Sequence, residues 1–365
     1  MKYVVTGNYG AKNLGDEMIL QGMIEMLKKA DASAEIDVLE GDEKFPAGFS
    51  STAKWIFGGG KSTKEKVKNC DYFILGGGGL FGGLSQYANI IWWSQAMHAY
   101  RYKKPVLMLG QSVGKIKNKY IRKLVKNIFN KSELISVRDT KSKENLKEMG
   151  VTKKIVIVPD LAFASEKHGG GQQLSLSGME ADFVPSKDVI ISLRQMKNLS
   201  ESFKIQIARF VQWLTEEEKM NVKFVNFQTG KVDNDEILHD EIKKIIGDNS
   251  TEIISPKSTQ EAIKLFENAH FALCMRLHSI ITAMQTNTPF TAINYAEKIE
   301  NFMDYMGAKE NLLDIKNLSF ESLKNLYKKT ENTKEKLKHL KKNSKEKIEE
   351  FISLYLRKFP KKKDL

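Results

Sequence analysis

Cysteine is nearly absent: Cys70 and Cys274 are the only two in 365 residues, far apart and each within an apolar segment. That excludes a disulfide framework and leaves no Cys/His cluster at metal-ligand spacing. Buried thiols in a reducing compartment are expected instead. Long hydrophobic runs are missing too. No stretch approaches the roughly 18–20 apolar residues that cross a bilayer. The opening Met1-Lys2-Tyr3-Val4-Val5-Thr6-Gly7 reaches glycine too soon for a secretory signal, so a cytoplasmic location is expected. There is no internal repeat of solenoid length, no nucleic-acid motif, and no platform of aromatic residues interleaved with basic ones. Nucleic acid is not an expected partner.

What is present is an ordinary globular composition, 41% hydrophobic and 28% charged, long enough for roughly two domains of about 150 residues. The net charge is +13, and the last 35 residues hold 12 Lys/Arg against 6 Asp/Glu. Such a field suits an anionic substrate or an anionic membrane surface. Short β-branched and aromatic runs alternate with helix-period segments. Lys2–Thr6, Glu35–Leu39, Asp71–Leu75, Val106–Leu109, Leu134–Val137 and Ile155–Val158 read as buried strands. Val189–Leu193, Lys223–Phe227, Glu252–Ile254, Phe271–Cys274 and Pro289–Asn294 repeat the pattern. The alternation predicts an α/β protein of two Rossmann-like, doubly wound domains facing each other across a cleft. The expected boundaries are 1–165 and 188–318, with a Gly/Gln-rich linker at 166–187 and a basic helical tail at 319–365.

Glycine clusters stand where strands end. Gly7-Asn8-Tyr9-Gly10 precedes Asn13-Leu14-Gly15-Asp16-Glu17, Gly76 to Gly83 holds six glycines, and Gly110-Gln111-Ser112-Val113-Gly114 follows the next strand. Neither the dinucleotide fingerprint nor a Walker loop fits these spacings. By spacing alone Asp16 reads as a helix cap. Three arginines also stand at strand ends: Arg138, Arg194 and Arg276, the last with His278 at the start of a helix. A single such arginine is usually a structural ion pair. Three of them with a histidine favour a small, multiply charged anion, because guanidinium forks match carboxylate and phosphate oxygens.

In order, these motifs resemble the polysaccharide pyruvyl transferase family. The likeness is completed by Ser136-Val137-Arg138-Asp139, Val158-Pro159-Asp160, Arg276-Leu277-His278-Ser279 and Asn294-Tyr295 with Lys298. The resemblance implies a GT-B-like fold and phosphoenolpyruvate as donor. It implies as acceptor a sugar of a cell-surface glycan precursor (N-acetylmannosamine in bacterial members similar in pattern), with a pyruvate ketal as product. It places Arg138, Arg194, Arg276, His278 and Lys298 on the donor. His278 is the candidate phosphate contact or proton donor. Asn8, Tyr9, Asn13, Asp16, Gly78, Gly79 and Gln111 fall to the acceptor, with Asp16 orienting or deprotonating a hydroxyl. Arg276, His278 and Asp16 are the expected catalytic set. The implied chemistry has no redox step and requires no metal, so no cofactor is expected.

Two other readings compete. A GT-B glycosyltransferase using a nucleotide sugar would share the architecture. Against it, Glu297 and Glu300 are the nearest acidic residues that could hold a ribose. A non-catalytic basic protein would dock on anionic lipid or nucleic acid through its tail, and a lipid-linked acceptor would give even the enzyme a peripheral contact at the inner face of the plasma membrane.

Overall fold

The computed structural model describes residues 1–39, 61–82, 86–165, 186–230, 233–247, 251–330 and 333–359. The chain divides into two compact units, Met1–Glu166 with Asn343–Leu365, and Lys167–Lys342. Nearly all of the expected linker, 166–185, lies outside the described residues.

The first unit contains β1 (Lys2–Thr6), α1 (Leu14–Ala30), β2 (Glu35–Leu39), α2 (Lys61–Asn69), β3 (Tyr72–Leu75), β4 (Gly78–Phe81), α3 (Gln86–Arg101), β5 (Val106–Val113), α4 (Lys119–Lys131), β6 (Leu134–Val137), α5 (Thr140–Glu148) and β7 (Ile155–Ile157). The sheet order is β2-β1-β3-β5-β6-β7, with β4 alongside β5, and every pairing is parallel. Strands β3 and β6 are buried at every position, so they read as continuous apolar runs rather than alternating ones.

Two of the glycine clusters that follow strands continue the sheet instead of turning. After Leu75, Gly78–Phe81 forms a strand whose partners are Gln111 and Val113. Likewise Gly110–Val113 is not a turn but the continuation of β5. Gly110 adopts φ +63° beneath the Leu161 side chain, a left-handed conformation that glycine alone adopts without strain, and the β5–β6 register shifts there.

The second unit contains β8 (Asp188–Ser192), α6 (Glu201–Glu216), β9 (Asn221–Val225), α7 (Asp235–Ile246), β10 (Glu252–Ile254), α8 (Thr259–Glu267), β11 (Ala269–Cys274), α9 (Leu277–Thr286), β12 (Phe290–Asn294), α10 (Glu297–Met306), β13 (Leu312–Asp314) and α11 (Phe320–Thr330). Its parallel sheet runs β10-β9-β8-β11-β12-β13. Each sheet therefore has one point where the strand order reverses: between β1 and β3 in the first, between β8 and β11 in the second. The crevice beyond the carboxyl ends at such a point is where open α/β sheets bind ligands.

The basic tail is not one segment. Helix α11 packs on α6 and β12, and Tyr327 is buried against Phe210, Trp213 and Phe271 in the second unit's core. Helix α12 (Lys334–Phe351) then carries the chain into the first unit and ends in a π-helical turn, Ile352–Leu356. Of the apolar residues that recur here at about helical spacing, Ile348, Phe351, Ile352 and Leu356 are buried, each such side chain contributing roughly 1.5–3 kcal/mol, whereas Leu354 is 43% exposed. Phe359 packs against Tyr72 with the two rings tilted 54° to each other, and Lys29 pairs with Glu349. Both cysteines are buried free thiols.

Candidate active site

At the first unit's edge, the chain leaves β1 at Thr6 and enters α1 by way of Asn13. Asn13 is the helix cap, its side chain accepting from the Gly15 N–H at 3.0 Å. Asp16 lies inside the first turn, where a carboxylate complements the helix dipole, and does not cap it. Asn8 donates to Asp16 Oδ2 at 2.7 Å. A Cβ on Gly78 would stand 3.4 Å from Asp16 Oδ1, so that glycine's backbone reaches the same place, and the exposed Gly79 beside it has open space around it. The structure thus gathers Asn8, Asp16, Gly78 and Gly79 at the β1/β3 crevice.

It does not gather Tyr9 or Gln111 with them. Tyr9 is only 1% exposed and fills the gap left by two glycines; a Cβ on Gly7 or Gly76 would collide with its ring or hydroxyl. Burial, helped by Asp16 and Glu17, pushes its phenol well up. Gln111 is wholly buried, its amide donating to the carbonyls of Leu75 and Gly76. Both are interior residues that shape the crevice from beneath. Asn13 is committed to its cap.

Arg138 is also committed. Its Nη1 donates to Asp160 Oδ2 at 2.8 Å, with both side chains buried. Asp160 Oδ1 in turn accepts from the Ala162 N–H, capping the 3-10 turn (Leu161–Ala164) on which Gly22 of α1 packs. Inside its own unit Arg138 braces the Val158-Pro159-Asp160 turn.

The second unit's edge carries a denser network. Arg276, just beyond β11 and 8% exposed, donates from Nε to both Asp235 oxygens at 3.0 Å. Its Nη1 reaches Asp233 Oδ2 at 3.2 Å, and its Nη2 reaches Asp233 Oδ1 at 2.7 Å. Asp235 also accepts the Phe227 and Gln228 N–H groups, at 3.1 and 3.0 Å, which ties the turn after β9 to the end of β11. Burial alone would loosen the Arg276 proton, but Asp235 and Asp233 outweigh it and hold the guanidinium charged. The expected donor role for Arg276 is therefore corrected: its fork is filled by two carboxylates of its own unit.

Arg194, just beyond β8, is half-buried. Its Nη2 donates to Asp233 Oδ2 at 3.1 Å and its Nη1 to the Tyr295 hydroxyl at 2.8 Å, while its buried Nε has no partner among the described residues. The Leu193 N–H beneath it donates to His239 Nε2 at 3.1 Å, which makes Nδ1 the protonated nitrogen that donates to Asn226 Oδ1 at 2.6 Å. Burial, then Arg276, push this imidazole down to about 3, so it stays neutral. Tyr295 follows β12, with the guanidinium of Arg194 5.3 Å and the ammonium of Lys298 5.5 Å from its ring centre. Burial raises its phenol, but Lys298 and Arg194 outweigh burial and hold it below its ordinary value. His278 is half-buried in the first turn of α9. Arg194, His278 and Lys298 thus stand at the ends of three adjacent strands, β8, β11 and β12.

Sequence reasoning missed Asp233 and Asp235 and gave Tyr295 no role. A signal existed: a buried arginine requires a carboxylate, and Asp233-Asn234-Asp235 opens the helix after β9.

A model of the family described as polysaccharide pyruvyl transferase matches residues 13–297. The chain belongs to the polysaccharide pyruvyl transferase family. The amylovoran biosynthesis protein AmsJ of Erwinia amylovora is 22% identical over 377 residues, covering 87% of this chain and 89% of AmsJ. The fold is similar to that of the UDP-GlcNAc 2-epimerase from Neisseria meningitidis bound to UDP-GlcNAc, with TM-score 0.63 and 13% identity over 98% of this chain and 100% of that one. The glycosyltransferase of kitacinnamycin gives TM-score 0.50 and 9% identity, covering 98% and 99%. The architecture is GT-B-like, and family membership makes the protein a pyruvyltransferase of glycan biosynthesis.

Proposed function

We propose that the protein transfers the pyruvyl group of phosphoenolpyruvate onto a sugar of a cell-surface glycan precursor and closes a pyruvate ketal on it. The observation that carries this reading is the second unit's edge. Arg194, His278 and Lys298 stand just beyond the carboxyl ends of the adjacent strands β8, β11 and β12, and neither α9 nor α10, which open there, has a side-chain cap. Phosphoenolpyruvate carries about three negative charges at neutral pH, given a second phosphate pKa near 6. Asp233 and Asp235 offset two of the three positive charges on Arg194, Arg276 and Lys298. The N-terminus of α9, equivalent to about half a positive charge and with no acidic residue in its first turn, adds to the attraction, whereas that of α10 is offset by Glu297 and Glu300.

In this reading Arg194 and Lys298 take the donor's carboxylate and phosphate, and His278 contacts the phosphate. Arg276 and Asp233 hold Arg194 in place, and Arg138 acts as a brace. Asp16, oriented by Asn8, positions or deprotonates an acceptor hydroxyl beside Gly79. N-acetylmannosamine is the acceptor sugar to test first. A lipid-linked precursor would bring the enzyme to the inner face of the plasma membrane.

Phosphate release from phosphoenolpyruvate across a panel of acceptor glycans, led by N-acetylmannosamine glycosides, tests the reading. Release that depends on one acceptor supports it. Stabilisation by nucleotide sugars and not by phosphoenolpyruvate would instead favour the glycosyltransferase alternative.

A further inference from the structure

We infer that Tyr295 is the acid that delivers a proton to the methylene carbon of phosphoenolpyruvate, an inference that rests on the pyruvyltransferase reading and deepens it.

A phenol has two acceptor lone pairs and one donor hydrogen. The Tyr295 hydroxyl accepts from Arg194 Nη1 at 2.8 Å and also from the Lys298 ammonium. With both lone pairs taken by cationic donors, what the oxygen has left to offer a ligand is its own proton. The ring cannot swing away from this arrangement easily, since it packs against the second unit's core and carries a cation near its face from each neighbour. The residue that would donate a proton is therefore preorganised by the same two side chains that the reading assigns to the donor's anionic groups.

The cations also answer where the charge goes. Once the proton leaves, a phenolate remains between Arg194 and Lys298, which are already in hydrogen-bonding position, and so their stabilisation costs no reorganisation. The charged groups facing the hydroxyl are Lys298 from α10 and Arg194 from the β8 edge, and Arg194 is itself tied to Asp233. Burial raises the phenol and the two cations lower it by more, so a proton transfer near neutral pH is favoured over that of an ordinary tyrosine.

Of the other titratable groups of this edge, His278 is assigned to the phosphate, and three more are committed or closed. His239 has both ring nitrogens bonded and stays neutral. Both Asp233 oxygens accept from arginines. Cys274 is wholly buried, its thiol pushed up to about 12 by burial.

The step balances as follows. The Tyr295 O–H bond breaks, and the π pair between C2 and C3 of phosphoenolpyruvate forms the new C3–H bond. C2 becomes an oxocarbenium-like centre, and the first acceptor hydroxyl bonds to it. That hydroxyl's proton passes to the phenolate and restores Tyr295. The C2–O bond to phosphate then breaks with its electron pair on phosphate. The second hydroxyl adds at C2, and its proton leaves on the phosphate. One hydroxyl proton ends in the ketal methyl group and the other on inorganic phosphate.

Two variants test the assignment. Tyr295→Phe keeps the ring and removes the hydroxyl with the hydrogen bonds it accepts from Arg194 and Lys298. We expect phosphoenolpyruvate still to raise its melting temperature while phosphate release with the wild type's acceptor falls about a hundredfold or more. Replacing Tyr295 with 3-fluorotyrosine, a more acidic phenol, should move the alkaline limb of kcat to lower pH, which a purely structural tyrosine would not do. Full turnover in Tyr295→Phe, or an alkaline limb unmoved by fluorination, overturns the proposal and leaves the pyruvyltransferase reading standing. A wild type that neither binds nor consumes phosphoenolpyruvate sinks that reading first, and this one with it.

Discussion

Arg276 and Asp235 face each other inside the second unit as a two-point pair: Nε lies 3.0 Å from both carboxylate oxygens, Nη2 lies 2.5 Å from Oδ1, and Asp235 has no exposed surface. Taking one member from such a pair strands a buried charge, which costs about 3–5 kcal/mol. Arg276→Ala is therefore expected to lose stability along with activity, visible as a lower melting temperature without substrate. A melting curve equal to wild type would show that the pair is dispensable and return Arg276 to the substrate.

The same argument applies to the first unit. Arg138→Ala strands Asp160, whose side chain is 1% exposed, so a loss of the same order, about 3–5 kcal/mol, is expected. The discriminating measurement is denaturant unfolding of Arg138→Ala beside the double variant Arg138→Ala/Asp160→Ala. Recovery of most of the loss in the double variant marks the pair as structural; no recovery would mean that the single variant's cost arises elsewhere.

Arg194 should behave differently because its side chain is 28% exposed. Arg194→Lys keeps one positive charge but cannot reach Asp233 and Tyr295 together from one planar fork. We expect a fold as stable as wild type, and phosphoenolpyruvate affinity weakened about tenfold, the order of one lost charge-assisted hydrogen bond. Calorimetric titration with phosphoenolpyruvate reads this directly. Unchanged affinity would leave Arg194 as a purely structural residue.

Much of this was legible in the sequence, and the limits have physical causes. Buried parallel strands announce themselves as apolar runs, so β1, β3, β6, β8 and β11 fall where the pattern puts them. Strand β4 escapes because glycine is depleted in strands, and Gly78-Gly79 pairs only because β5 runs on to meet it. At the site, the cations are visible at strand ends but their occupancy is not. Whether Arg276 serves substrate or Asp235 depends on a contact between positions 41 apart in sequence. A cap and a catalytic carboxylate likewise look alike in a linear string: Asn13, not Asp16, turned out to hold the helix end.

His239 gives a prediction in pH. Its imidazole is neutral in the fold, with its value lowered from 6.5 to about 3, burial being the larger cause and Arg276 the smaller. In that window the unfolded chain binds the extra proton and the folded chain does not, so stability rises with pH. The contribution is fully present above about 6.5 and is lost as pH falls toward 3, at up to about 1.4 kcal/mol per unit. Urea unfolding from pH 7 to pH 4 should show this slope, and His239→Gln should flatten it. An equal slope in the variant would assign the acid sensitivity to other groups.

The last prediction concerns α12. Exposed Lys334, Lys336, Lys338, Lys342 and Lys347 suggest a membrane-facing surface, each lysine being worth roughly 1 kcal/mol beside an anionic leaflet. Exposed Glu335, Glu346, Glu349 and Glu350 share the helix, however, and Lys336 and Lys338 already pair with Glu310 and Glu335. Lys361–Lys363 lie outside the described residues. Five positive charges against four negative ones leave a net attraction of about 1 kcal/mol, too little to hold a protein on a membrane. We therefore expect sedimentation with anionic vesicles at low salt to be weak and nearly unchanged when Lys334, Lys338 and Lys342 are reversed to Glu. Strong wild-type binding that disappears in this variant and at high salt would show that the helix, rather than a lipid-linked acceptor, brings the enzyme to the membrane.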